Sequence, residues 1–183
     1  PGSLSTLIGY ITGPKAEQPV GIRVVEPPPG TRQYQRGSMY GVVDLAGDHP
    51  DRDVIADHLL TVMQRTYYTA KGSQSQVMIE AVGRSQQALH EFNLRHPDSG
   101  MRAGVLCSAL LNGRLMVVTS GSAFALMRVS DKVQMFPSEL RTENEPSSNP
   151  DEPVEIFRQQ LGRDDVLFVG GGSWLSSVPI KSL

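Results

Sequence analysis

The chain has 183 residues, with 17 Lys and Arg against 19 Asp and Glu for a formal charge of -2, and 39% of its residues are hydrophobic. That length and apolar content suffice for one domain with a core of ordinary size and exclude wholesale disorder. Near-neutral charge with singly scattered basic residues excludes the electrostatic footprint of a nucleic-acid binder, and the single cysteine, Cys107, excludes a disulfide framework or a cysteine metal cluster within one chain.

Pro1-Gly2-Ser3 reads as a cloning scar, leaving 4–183 as one domain. Residues 4–11 and 20–25 have the β-branched content of strands, with Thr12-Gly13-Pro14 as turn material between them, and Pro27-Pro28-Pro29-Gly30 closes the second. Tyr40-Gly41-Val42-Val43-Asp44 is a short apolar run that stops at an acidic loop, either a strand delivering a side chain to a site or simply a strand ending in a turn. From Arg52 to Tyr68, Ile55, Leu59, Val62 and Thr66 recur at helical spacing, with Asp51 as N-cap. From Gln74 to Arg95 a second helix carries Val77, Ala81, Ser85, Ala88 and Phe92, with Met78, Val82 and Leu89 beside them, and ends at His96-Pro97. Gly83 costs this helix about 1 kcal/mol relative to alanine unless close packing requires it.

The period then changes. Residues 103–111 and 114–120 flank Asn112-Gly113, a strong hairpin signal, and 124–129 and 132–136 repeat the device around Ser130-Asp131, so an antiparallel meander is expected. Residues 137–153 are rich in Pro, Ser and acid and read as a mobile surface loop. Residues 154–161 form a short helix or strand, and Val166-Leu167-Phe168-Val169 is a buried strand running into Gly170-Gly171-Gly172-Ser173-Trp174. No apolar stretch reaches the roughly 20 residues of a bilayer-spanning helix, and the N-terminus has no signal-peptide pattern, so a cytoplasmic protein without membrane partner is expected.

For chemistry, three of the four histidines fall on or just beyond the helices, and Cys107 sits within an apolar strand, where it serves most simply as a small core residue. The triple glycine follows a strand as a phosphate-cradling loop does, but neither a G-x-x-x-x-G-K-[ST] nor a G-x-G-x-x-G opens a long helix. Asp44, Asp48, His49, Asp51 and Asp53 are the best metal-ligand cluster; carboxylates so spaced can hold Mg²⁺ or Mn²⁺, and can equally be a solvated turn and helix start.

Tyr-Gly-Val-Val-Asp before two amphipathic helices, the hairpin run from Arg102 to Arg128, and Asp165-Val166-Leu167-Phe168-Val169-Gly170-Gly171-Gly172-Ser173-Trp174 together resemble the type-2C, metal-dependent protein serine/threonine phosphatase family over residues 6–176. The resemblance implies an α+β fold: a four-layer α/β/β/α sandwich of two stacked antiparallel sheets flanked by helices, here lacking its last helix and strand. It also implies a dinuclear Mg²⁺ or Mn²⁺ centre held mostly by aspartates. Matched position by position, the bridging carboxylate survives as Asp44, while the glycine after it is Leu45. The N-terminal acidic pair falls near Glu17 and Gln18, with Gln18 replacing the acid. Gly121 stands in the G-D-S-R motif and Gly171 in the S-D-G motif where metal-binding aspartates belong. Two divalent cations about 3.5–4 Å apart need several carboxylates to hold them, so the resemblance implies a fold kept without its reaction: a pseudophosphatase with no cofactor, acting on a protein partner such as a kinase or a phosphoprotein. Its old cleft would be lined by Asp44, Asp48, Ser122, Gly170, Gly172 and Ser173. The alternatives are a divergent enzyme using Asp44, Asp48, His49 and Glu17 for one Mg²⁺ or Mn²⁺ ion, and an assembly module pairing through an unfinished sheet edge.

Overall fold

A computed structural model describes residues 6–10, 19–139 and 154–175. Two antiparallel sheets stack. The larger contains β1 (Ile22–Val25), β2 (Ser38–Ala46), β3 (Arg102–Leu111), β4 (Arg114–Ser120) and β7 (Glu155–Gln160), in the order β1-β2-β3-β4-β7. The smaller contains β5 (Phe124–Val129), β6 (Lys132–Phe136) and β8 (Val166–Gly170), in the order β6-β5-β8. Helices α1 (Arg52–Thr69) and α2 (Gln74–Arg95) cover the outer face of the larger sheet, and the short α3 (Gly172–Leu175) follows β8. The α+β sandwich of stacked antiparallel sheets expected from the sequence is therefore present.

Alternation along the strands fills both sides of the larger sheet. Val43, Leu45, Val105, Cys107, Ala109 and Val118 face Leu59, Met63, Val77, Met78 and Ala81 of the helices. Val42, Leu106, Leu115 and Val117 point the other way, onto Ala125, Met127, Leu167 and Val169 of the smaller sheet. Burial on both faces explains why β3 reads as a continuous apolar run rather than an alternating one. Cys107 is fully buried in this core.

The hairpin turns form as their residues demand: Asn112 and Gly113 have φ of 52° and 74°, and Ser130 and Asp131 have 48° and 64°, the left-handed pair of a type I′ turn. The two hairpins are not one meander, however. Gly121-Ser122 carries the chain from β4 in the larger sheet to β5 in the smaller, and Gly121, at φ 71°, takes a conformation that disfavours a side chain. Residues 154–161 resolve as strand β7, paired to β4.

Three further expectations change. Residues 6–10 form no strand, and Leu7 is 99% exposed, so the apolar residues there have no face to bury. The buried stripe of α1 runs Ile55, Leu59, Met63, Tyr67, with Ala56 and Leu60; Val62 and Thr66 are half-buried and line a groove against Glu80 and Arg84 of α2. Asp51 makes no side-chain cap; its N–H donates instead to His49 Nδ1 at 3.1 Å. Of the expected mobile loop at 137–153, positions 140–153 lie outside the described residues.

Helix α2 begins at a reciprocal capping box, in which Gln76 N–H donates to Ser73 Oγ and Ser73 N–H donates to Gln76 Oε1. A clasp holds the end of α1: the Tyr67 and Tyr68 hydroxyls donate to the carbonyls of Arg36 and Gly37, while the Arg36 guanidinium donates to the carbonyls of Ala70 and Gly72. A Cβ at Gly83 would meet nothing within 4 Å, so no packing contact offsets its helix penalty. Gly83→Ala is expected to raise stability by about 0.5–1 kcal/mol, read as a higher midpoint in urea with unchanged slope; a lower midpoint would mean that the glycine serves some other purpose.

Candidate functional site

Strand parity fixes where Asp44 points. Odd residues of β2 face the helices, so even residues, Val42 and Asp44, face the smaller sheet. Leu45, at the position where the resemblance implies a glycine, falls on the helix side and is buried in that core. It is a packing residue, and its size serves the helix layer.

Asp44 pairs in register with Gly104 of β3. Over this pair lie the β4–β5 turn and the segment after β8. A Cβ on Gly104 would come within 2.5 Å of Ala123 N and 2.7 Å of Ser122 Oγ, so the β4–β5 turn rests directly on the strand backbone. Ser122 is covered from the other side by Gly172, whose added Cβ would lie 2.7 Å from Ser122 Cβ. The Asp44 carboxylate accepts two hydrogen bonds from one residue: Ser173 Oγ donates to Oδ1 at 2.7 Å and Ser173 N–H donates to Oδ2 at 3.0 Å. The start of α3 is thus held by a carboxylate 129 residues away in the chain. Hydrogen bonds to a charged group contribute about 1.5–3 kcal/mol each when sheltered, and this pair is partly buried.

Gly171 completes the closure. A Cβ there would sit 2.2 Å from Asp44 Cγ and 2.3 Å from its Oδ2. The backbone of residue 171 therefore lies against the carboxylate, and any side chain at this position would overlap it. Beside it, the Trp174 ring packs on Phe168 and Phe124 at centroid distances of 4.9 and 6.5 Å, anchoring α3. Gly170 ends β8 with its open side toward the Phe168 and Phe124 rings.

Of the cleft residues named from the sequence, Asp44, Ser122, Gly172 and Ser173 come together. Asp48 is exposed on the β2–α1 connection. His49 turns to α2, its ring edge-on to Phe92 at 5.2 Å and 6.0 Å from the His96 ring. The cluster Asp44, Asp48, His49, Asp51 and Asp53 does not converge: among the described residues no group of three or more His, Cys, Asp and Glu side chains could hold a metal ion. Glu17 and Gln18 lie outside the described residues. Among the described residues, the donor set around Asp44 consequently does not fit a dinuclear cation centre. A divalent ion needs carboxylate oxygens at about 2.0–2.6 Å, and here both oxygens of Asp44, the carboxylate in place among the described residues, are engaged by Ser173 with a glycine backbone pressed against them. Sequence reasoning did not identify the part of Gly104, although an isolated glycine inside a strand is the usual sign that another backbone approaches closely.

No family model and no curated protein sequence matches the chain. Solved structures do, and they define the fold as that of the type-2C serine/threonine phosphatases. The catalytic domain of the serine/threonine protein phosphatase PstP, solved with two manganese ions, aligns at a TM-score of 0.66 with 12% identity, over 91% of this chain and 77% of that one. Serine/threonine phosphatase Stp1 from Staphylococcus aureus aligns at 0.63 with 10% identity, over 94% and 84%. PppA, described as a key regulatory component of T6SS in Pseudomonas aeruginosa, aligns at 0.60 with 9% identity, over 88% and 74%.

Proposed function

We propose that this chain is a catalytically inactive, phosphatase-like domain that works by binding a protein in phosphorylation signalling, without a metal cofactor. One observation carries the reading: Ser173 donates to both oxygens of Asp44, the carboxylate that the resemblance assigns to the metals, and the backbone of Gly171 lies against it. The hydrolytic reaction of such an enzyme needs a metal-activated water held between several carboxylates, and Asp44 hydrogen-bonded to serine, with no second carboxylate beside it among the described residues, supplies neither the charge nor the access. The glycines at 121 and 171 support the same reading, since each meets a demand of the closed site. Gly121 takes the left-handed turn between the sheets, and Gly171 leaves room for Asp44.

Incubation with p-nitrophenyl phosphate and with phosphoserine and phosphothreonine peptides, at millimolar Mn²⁺ or Mg²⁺, is expected to release no phosphate above the buffer rate. Manganese-dependent turnover that disappears in Asp44→Ala would establish the divergent enzyme instead.

A further inference from the structure

The chain has four asparagines, followed by Leu94, Gly113, Glu145 and Pro150, so Asn112 alone precedes a glycine. The two that lie among the described residues are held very differently. Asn93 is clamped between α2 and the residue before β3: its Nδ2 donates to the Met101 carbonyl at 2.7 Å, and its Oδ1 accepts from the Met101 N–H at 3.2 Å and from Ser99 Oγ at 3.0 Å. Asn112 is exposed in the β3–β4 turn, and among the described residues neither its carboxamide nor the Gly113 N–H makes a hydrogen bond. The Gly113 carbonyl, by contrast, anchors the end of β7, accepting from the Leu161 N–H at 2.8 Å and from Gln160 Nε2 at 3.1 Å.

We propose that Asn112 is a site of spontaneous covalent modification, deamidation through a cyclic imide to isoaspartate, and that the change releases the end of β7. The Gly113 nitrogen gives its proton to solvent base and attacks Asn112 Cγ. The N–Cγ bond forms, the Cγ–Nδ2 bond breaks, and the amide leaves as ammonia with a proton from water. Water then adds to one of the two carbonyl carbons of the imide. Cleavage at Cγ gives aspartate; cleavage at the backbone carbonyl of residue 112 leaves Gly113 bonded to Cγ, which is isoaspartate with a free α-carboxylate. Glycine permits the attack because it has no Cβ to obstruct the approach and the widest backbone freedom to reach the ring geometry. The pair at 112 and 113 breaks no hydrogen bond on the way, whereas Asn93 would give up three and faces a leucine. Isoaspartate routes the main chain through Cβ and Cγ, and a two-residue hairpin turn has no slack for the extra carbon. The Gly113 carbonyl must therefore move away from Leu161 and Gln160.

The test incubates the intact protein at neutral and at mildly alkaline pH and maps its peptides by mass spectrometry. Imide and acid products are expected at Asn112 and not at Asn93, at a rate that rises with pH because the attacking nitrogen must lose its proton. Isoaspartate should be among them, identified by enzymatic methylation of its free α-carboxylate. In the separated isoaspartyl form the Leu161 amide should exchange its hydrogen roughly tenfold faster, as the loss of one hydrogen bond implies. Freshly prepared Asn112→Asp adds the same charge on a backbone of normal length and should keep the wild-type exchange. Asn112→Gly, which the same turn type accepts, should form no product at this position. Conversion at Asn112 no faster than at Asn93, aspartate without isoaspartate, or an isoaspartyl form in which Leu161 exchanges as in the wild type would each overturn the proposal.

Discussion

Gly171→Ala is expected to destabilise the protein by about 2–3 kcal/mol, the upper part of the roughly 1–3 kcal/mol usual for forcing atoms into a filled site. The added Cβ would fall 2.2 Å from Asp44 Cγ, so the segment after β8 must lift away from β2 and give up both Ser173 hydrogen bonds. For a chain of this length the melting temperature should fall by roughly 5–10 °C. Gly171→Asp is the sharper variant, because it restores an acid at the position the resemblance assigns to a metal ligand. It should lose at least as much stability, since a second carboxylate would stand against Asp44. It should regain nothing on addition of Mn²⁺. If Gly171→Asp were instead as stable as the wild type, or were stabilised by millimolar Mn²⁺, the closed site would be a conformation the chain leaves easily.

Alkaline titration should produce the other large effect. Burial pushes the Cys107 thiol up to about 12 and the Tyr67 hydroxyl up to about 12 as well, and it also raises Tyr68. In the unfolded chain a thiol titrates near about 8.5 and a tyrosine near about 10. Each group thus holds its proton more tightly folded than unfolded. The stability this confers is complete below about pH 8.5 and is lost as pH rises toward the folded values, by up to about 1.4 kcal/mol per pH unit for each group titrating in the unfolded state. Denaturation midpoints should therefore stay level to about pH 8.5, decline with Cys107 alone, and decline faster above about pH 10 as the tyrosines join. Cys107→Ala should move the onset to about pH 10. In the wild type the thiol should react with a disulfide reagent only as fast as the protein unfolds. Prompt labelling at neutral pH, or midpoints that rise above pH 9, would contradict the burial that the structure shows.

Local chemistry made much of the fold legible. Asn112-Gly113 and Ser130-Asp131 announce their hairpins because few residue pairs tolerate two positive φ values. The helices follow from periodicity, yet the buried stripe of α1 continues through Met63 and Tyr67, one position beyond Val62 and Thr66. From Ile55 and Leu59, both Val62-Thr66 and Met63-Tyr67 continue a helical stripe. The choice is made by partners distant in sequence: Tyr67 is drawn inward by the Arg36 carbonyl, and the groove beside Val62 lies open. Residues 6–10 have strand composition without a sheet face to bury it, which composition cannot reveal. At the site, Asp44 is legible as a retained carboxylate and the glycines at 121 and 171 as departures from the pattern of the resemblance. What the departures accomplish was not visible, because the contact of Asp44 with Ser173 spans 129 positions and depends on a backbone approach that only the folded chain creates.

An inactive, metal-free domain, as proposed, requires Asp44 to be closed to cations. Calorimetric titration of the wild-type chain with Mn²⁺ to millimolar concentration tests it most directly. Heats indistinguishable from dilution are expected, both in the wild type and in Asp44→Ala. A saturable binding heat that Asp44→Ala abolishes would contradict it and return the chain to the metal-dependent enzymes whose fold it shares.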